Sequence, residues 1–300
     1  MNNAILFFFN INTKEVKKIN DNYYFNYAYN NYVVQIYNRD IEEAIEIYYL
    51  NLELLSNGFI GYEIILTKDN DVLFLYEGVY YILMKFPNIK NRIITYEDVI
   101  NFNYIPNTMF KKLDKSNWVI TWSNKIDFIE YQFDQVRNRY SIIDDSIDYF
   151  IGIWENAISY YNDNNINSER CVCHKRVSTN MDLLDFTNPL NFVIDYKERD
   201  LGEYLKSFVI SKNYSNASLD RMINFSDRDS VVLVISRILF PSYYFDLYED
   251  IILGNKDEHE LNDVISKRNN VLYLINYILF RYSNLNITDI EWIKKEVSFH

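Results

Sequence analysis

Residues 171–208 read CVCHKRVSTNMDLLDFTNPLNFVIDYKERDLGEYLKSF. In an extended segment, positions i and i+2 face the same way. The spacing of Cys171 and Cys173 therefore predicts two thiols packed together into a core. A lone histidine follows, then the cations Lys175 and Arg176, then hydroxyls and Asn180. The passage is loop-rich until the apolar run Phe192-Val193-Ile194, which ends in Asp195. An apolar run closed by an acid predicts a short buried strand that delivers a carboxylate to its end. Arg199 and Asp200 come next and predict a local ion pair capping a helix.

Around this centre the chain changes character once. Near the N-terminus, AILFFFNI and the Tyr-rich stretch Asn22–Tyr37 read as strands, the second ending in YVVQIY. Asp40 offers an N-cap with Glu43 as its capping-box partner. Behind it Ile41, Ile45, Tyr48, Leu52 and Leu55 recur at helical spacing until Ser56-Asn57-Gly58. YEIILT, VLFLY and VYYILMKF, with a tight Glu77-Gly78 turn, then predict a three-strand meander. After Phe86-Pro87 the pattern turns mainly helical, with one stripe at Ile143, Ile147, Phe150, Trp154 and Ile158 and another at Val271, Leu274, Tyr277 and Ile278. The reading is α+β: a β-rich N-terminal lobe, residues 1–86, with one helix on a small antiparallel sheet, and a larger mainly helical lobe, residues 87–300, joined by a hinge near Met84.

Composition bounds the function. Hydrophobic residues make up 49% of the 300, enough for a sizeable core. The formal charge of -12 argues against a nucleic-acid binder, which needs a basic face. No apolar run approaching a membrane span is expected. Two cysteines are too few for a disulfide framework and predict a reduced, cytoplasmic protein. Cys171, Cys173 and His174 lack a fourth soft ligand nearby, since the other histidines are His259 and His300, so no closed zinc site is expected.

This plan, with the segments WSNKIDFIEYQFDQV, YFIGIWENAISYYN and RILFPSYYFDLYEDII, resembles the two-lobed protein-kinase-like fold in its aminoglycoside/choline phosphotransferase branch. It is most similar to the spore-coat kinase-like proteins of low-GC Gram-positive bacteria. The resemblance implies ATP, magnesium and definite parts: a glycine-rich turn, a strand lysine, a helix glutamate, a catalytic aspartate, and metal-holding asparagine and aspartate.

Several parts are missing. The first glycine in the chain is Gly58, and Gln35 stands where the lysine should. Glu46, with Glu42 and Glu43 as alternatives, takes the helix-glutamate position or lies on a solvated face. His174 matches the loop histidine and is expected to brace the loop. Lys175 replaces a glycine and Arg176 the catalytic base, which an arginine, always protonated, cannot be. Asn180 comes one position early for a metal ligand, while Asp195 matches the metal-holding aspartate. Asp182 and Asp185 are the candidates for a displaced base. Gln35, Glu46, Met84, Lys175 and Arg176 mark where a nucleotide or anion would sit.

The expected function is accordingly a pseudokinase acting as a binding or scaffold protein, without a cofactor, on an unknown protein partner. The alternatives are an active small-molecule kinase using ATP and magnesium through Asp195 and Asp182 or Asp185, and a binder of an anionic small molecule at Lys175 and Arg176. Arg176 is expected either to pair with Asp195, Asp182 or Asp185 or to face an open anion site. In an inactive scaffold, Asp195→Asn is expected to leave the fold intact.

Overall fold

The structure is a computed structural model that describes residues 1–164, 166–211 and 214–296. The chain divides into two compact units. The first comprises residues 1–94, 104–114 and 181–194, and the second comprises 95–103, 115–180 and 195–300.

The first unit opens with helix α1 (Asn2–Phe9), where a strand was expected. Six consecutive apolar residues carry neither helical nor strand periodicity, so neighbouring structure decides. Here Ala4 and Ile5 pack into a cluster with Phe25, Tyr32, Val34, Phe74, Tyr81 and Leu83, and Asn10 ends the helix in the left-handed region at φ 55°. Strands β1 (Lys17–Ile19), β2 (Asn22–Tyr27) and β3 (Asn30–Ile36) follow. Helix α2 (Ile41–Ser56) leads to β4 (Glu63–Ile65), β5 (Phe74–Tyr76) and β6 (Val79–Lys85).

The antiparallel sheet runs β1-β2-β3-β6-β4, with β5 pairing β6 as well. The expected meander is thus rearranged: β4 pairs with β6, Ile64 opposite Met84, and not with its sequence neighbour β5. Two-residue turns close three hairpins, at Asn20-Asp21, Ala28-Tyr29 and Glu77-Gly78. Glu77 and Gly78 sit at φ 51° and 79°, the paired left-handed geometry that suits the twist of a hairpin.

Asp40 caps α2, but its side chain accepts from the Glu42 amide, and Glu43 pairs with Arg39 instead of closing a capping box. The helix ends at Asn57 and Gly58, as its residues suggest. Its packed face is Ala44, Ile47, Leu50, Asn51 and Leu54. The stripe picked out by spacing lies on the other side, and Ile41, Ile45 and Leu52 are exposed.

The second unit is mainly helical: α3 (Tyr96–Asn101), α4 (Trp118–Val136) and α5 (Ser141–Asn162), then strand β7 (Arg170–His174). Helix α6 (Leu183–Phe186) belongs to the first unit, and β8 (Phe192–Tyr196) forms a two-stranded sheet with β7. Then come α7 (Glu198–Ser211), α8 (Asn216–Met222), α9 (Arg228–Leu239), α10 (Ser242–Ile252), α11 (Leu261–Ser266), α12 (Arg268–Arg281) and α13 (Glu291–Glu296).

Helix α9 is the core. Every residue from Ser230 to Leu239 is buried, as for a helix apolar on all sides. Contrary to the sequence reading, the stretch Arg228–Ile252 is apolar enough to pass for a membrane span, but 83% of its apolar window is packed inside the fold. Gly202 of α7 lets the helices meet, since a Cβ there would lie 2.8 Å from Arg237 Cβ.

Candidate functional site

Asp195 is delivered to the end of β8 as its sequence suggests, but it is fully buried and fully engaged. The Trp118 indole N–H donates to both carboxylate oxygens, at 2.9 and 3.1 Å, and the Tyr196 amide donates to Oδ1 at 2.7 Å. Arg199, one helical turn on and itself buried, forms an ion pair with Oδ2. Burial pushes the carboxyl above its ordinary range, while Arg199, Arg237, Trp118 and the Tyr196 amide oppose that. The donors sit where a metal ion would need the oxygens.

In the HKR stretch the side chains of His174 and Arg176 both meet carboxylates. His174 is buried, and both its backbone amide and its Nδ1 meet the Asp200 carboxylate, at 2.9 and 2.6 Å. Phe102 packs against its ring, the centroids 4.7 Å apart. The carbonyl of His174 accepts from Arg199 Nε, and that of Lys175 from Arg199 Nη2 and Arg176 Nη1. Arg176 forms a forked pair with Asp246 of α10, Nε to Oδ2 at 2.6 Å and Nη2 to Oδ1 at 2.7 Å. A carboxylate partner was one of two expectations, but Asp246 was not among the candidates. Asn180 is exposed. Cys171 and Cys173 are buried with sulfurs 3.7 Å apart, and burial raises the Cys173 thiol well above its ordinary value. Among the described residues, no group of three or more His, Cys, Asp or Glu could hold a metal ion.

In the first unit the nucleotide-side candidates are likewise committed. The Gln35 amide oxygen accepts from Asn188 Nδ2 at 3.2 Å. Glu46 is neither a lysine partner nor a bare solvated carboxylate. It accepts the backbone amides of Lys111, Lys112 and Leu113 at 2.8–3.1 Å and pins that segment to α2. Met84 is fully buried in β6. Between the first two strands, where a glycine-rich loop would cover phosphates, the chain makes only the Asn20-Asp21 turn. Asp182 caps α6 by accepting from the Asp185 amide at 2.8 Å. Asp185 is exposed; partial burial and then the Asp182 charge raise its carboxyl.

The sequence reading missed a second buried charge cluster beside Asp195. Glu203 pairs with Lys206 at 3.0 Å and with Arg237 at 2.7 Å, all nearly inaccessible. Ser242 donates to Glu203, and Lys206 donates to the carbonyls of Arg237 and Phe240. Burial alone would raise the Glu203 carboxyl, but Lys206, Arg237 and Arg176 hold it far below its ordinary value. Burial lowers Lys206 to about 8 and Arg237 to about 10. The Arg237 guanidinium lies 4.8 Å from the Phe240 ring centre, with Trp118 and Trp122 beyond. One sequence signal existed: Arg237 interrupts VVLVISRILF, and an arginine inside so apolar a helix requires a buried partner.

From residue 2 to 272 the chain matches the family described as spore coat putative kinase YutH, and it belongs to that family. The endospore coat-associated protein YutH of Bacillus subtilis (strain 168) is 25% identical over 253 residues, 72% of each chain. Similar solved structures are phosphotransferases. An aminoglycoside phosphotransferase of Alicyclobacillus acidocaldarius superposes with a TM-score of 0.62 at 10% identity, over 95% of this chain and 97% of that one. An AMP-bound spectinomycin phosphotransferase gives 0.59 at 12%, over 93% and 96%. The choline kinase LicA of Streptococcus pneumoniae gives 0.54 at 10%, over 86% and 94%. The fold is kinase-like, as the residues of 171–208 led us to expect. The residues at the matching positions do not fit magnesium-ATP: Asp195 has its oxygens taken, and Gln35 and a two-residue turn stand where phosphate contacts would be.

Proposed function

We propose that this chain is a pseudokinase that works by binding within the spore coat, without phosphate transfer. The observation that carries the reading is Asp195, the residue matching the metal-holding acid, enclosed by Trp118, Tyr196 and Arg199. Arg176 in place of a base, its forked donors turned to Asp246, supports the same reading and speaks against an anion site there. The coat-associated relative supports the setting, and two reduced, buried thiols suit a chain that folds in the cytoplasm. The partner proposed is another protein.

Thermal unfolding with and without millimolar magnesium-ATP tests this. A ligand at a hundred times its Kd would add about 2.7 kcal/mol to stability. The expected outcome is no magnesium-dependent shift. A shift of several degrees that needs both nucleotide and metal would restore the enzyme reading.

A further inference from the structure

Helices α5, α11 and α12 of the second unit line a cleft of about 430 Å³, within the size range of small-molecule sites. It lies against the first half of α5, whereas β7 and the residues around His174 follow the other end of that helix. The floor is apolar, with Phe150 fully buried and Ile142 and Ile265 half-buried beside it. Ser146 adds no free polar group, because its hydroxyl already meets the Ile142 carbonyl and the Tyr244 hydroxyl. Two opposite charges line the same cleft without meeting. Arg268 lays its guanidinium over the Tyr149 ring, 4.9 Å from the ring centre, and Asp145 precedes that ring by one turn of α5. Among the described residues, neither side chain makes a hydrogen bond or an ion pair. Nearby cations do pair within a helical turn, Lys256 with Glu260 and Lys267 with Asp263. The first turn of α12, which opens at Arg268, holds no acidic residue, so the helix dipole adds to the guanidinium charge.

We propose that this cleft binds a free α-amino acid with a branched aliphatic side chain, its carboxylate on Arg268 and its ammonium on Asp145. The side chain enters among Ile142, Phe150 and Ile265. A simple anion would serve Arg268 but be repelled by Asp145, and a simple amine would do the reverse. A molecule carrying both charges satisfies both residues. The spacing agrees. The turn between Asp145 and Tyr149 is about 6 Å along α5, and a zwitterion spans such a gap through charge-assisted hydrogen bonds of about 2.8 Å at either end. A residue inside a peptide lacks both charges and a terminal residue lacks one, so the free amino acid is the occupant.

Isothermal titration of the full chain with L-leucine should give a Kd of about 0.05–1 mM. Leucinamide, which lacks the carboxylate, and isocaproate, which lacks the ammonium, should each bind about tenfold weaker or worse. Glycine should lose about tenfold as well, because it buries no side chain. Arg268→Met and Asp145→Asn should each weaken leucine binding about tenfold, with the melting temperature within about 2 °C of the parent. If either variant unfolds, the ligand series on the parent chain decides alone. No binding of leucine at about 10 mM would overturn the proposal. Isocaproate or N-acetyl-leucine binding as well as leucine would overturn it in favour of a plain anion site. Leucinamide binding as well as leucine would overturn it in favour of a plain amine site. Leucine binding unchanged in both variants would show that these charges do not hold it, and would sink the assignment.

Discussion

Asp195→Asn is the most informative single change, because a metal ligand and a buried ion-pair partner respond to it oppositely. Asparagine keeps the shape but removes the charge. Arg199, its side chain 8% exposed, then lies beside Arg237 with no carboxylate at Oδ2. The Trp118 N–H and Tyr196 amide, which now share a carboxylate, must compete for one amide oxygen while an NH2 faces donors. Stranding a buried charge in this way costs about 3–5 kcal/mol. With an unfolding entropy of about 2.1 cal/mol/K per residue over 300 residues, one kcal/mol corresponds to about 1.6 °C, so the expected drop is about 5–8 °C. Differential scanning calorimetry at pH 7 measures it. The double variant Asp195→Asn/Arg199→Met should recover about half of the loss, since no guanidinium is then left without its partner. This reverses the expectation from sequence that the single change is silent. If Asp195→Asn melts within 1 °C of the parent, the carboxylate is not carrying the pair and the argument for an occupied metal position fails.

Other outcomes follow from the same geometry. Arg176→Ala should cost only about 0.5–1 kcal/mol in urea unfolding, because Arg176 and Asp246 are each 41% exposed and water screens the pair. Gly202→Ala should cost about 1–3 kcal/mol, since the added Cβ falls 2.8 Å from Arg237 Cβ and forces α7 and α9 apart. Glu203 has its folded pKa depressed, so its contribution is complete above the unfolded value near 4.3 and is lost as pH falls through and below it. A Glu203→Gln variant should therefore show a flatter loss of stability than the parent between about pH 5 and 3. Lys206, lowered to about 8, binds fewer protons folded than unfolded between about pH 8 and 10. Across that window the stability of the parent relative to Lys206→Met should rise with pH.

Much of the fold was legible because local rules and global packing agree. Asp40 and Gly58 mark α2, Glu77-Gly78 marks a hairpin, and the apolar run ending in Asp195 marks β8. The failures have particular causes. AILFFF is apolar at every position, and only its packing on Phe25, Phe74 and Leu83 makes it helical. In α2 two apolar faces compete for the inner side. Spacing alone picked the outer one, because Asn51, a polar residue, belongs to the packed face through its bonds to Tyr62 and Ile64. The pairing of β4 with β6 is a long-range choice that hairpin rules do not predict.

The site was legible residue by residue and illegible as a system. Sequence identifies Asp195 as an acid at a strand end, and Arg176 as a cation where a base belongs. It cannot say which carboxylate meets which guanidinium. Asp195, Glu203 and Asp246 each face Arg199, Arg237 or Arg176, and the assignments depend on the relative turns of α7, α9 and α10. The pairing has a physical logic. An acid kept ready for a metal must tolerate unmet charge when the metal is away, a standing cost that active sites accept. On the proposed reading, closing Asp195 with an indole, an amide and a guanidinium removes that cost and makes the acid a structural element. Once Arg199 and Trp118 depend on Asp195, restoring an aspartate at position 176 would not restore catalysis: it would place a carboxylate against Asp246 and leave the metal-side oxygens still enclosed. On the proposed reading, Arg176→Asp should show no phosphotransfer even when paired with Asp246→Asn. Measurable ATP turnover in that double variant would show that Asp195 can still be released to a metal.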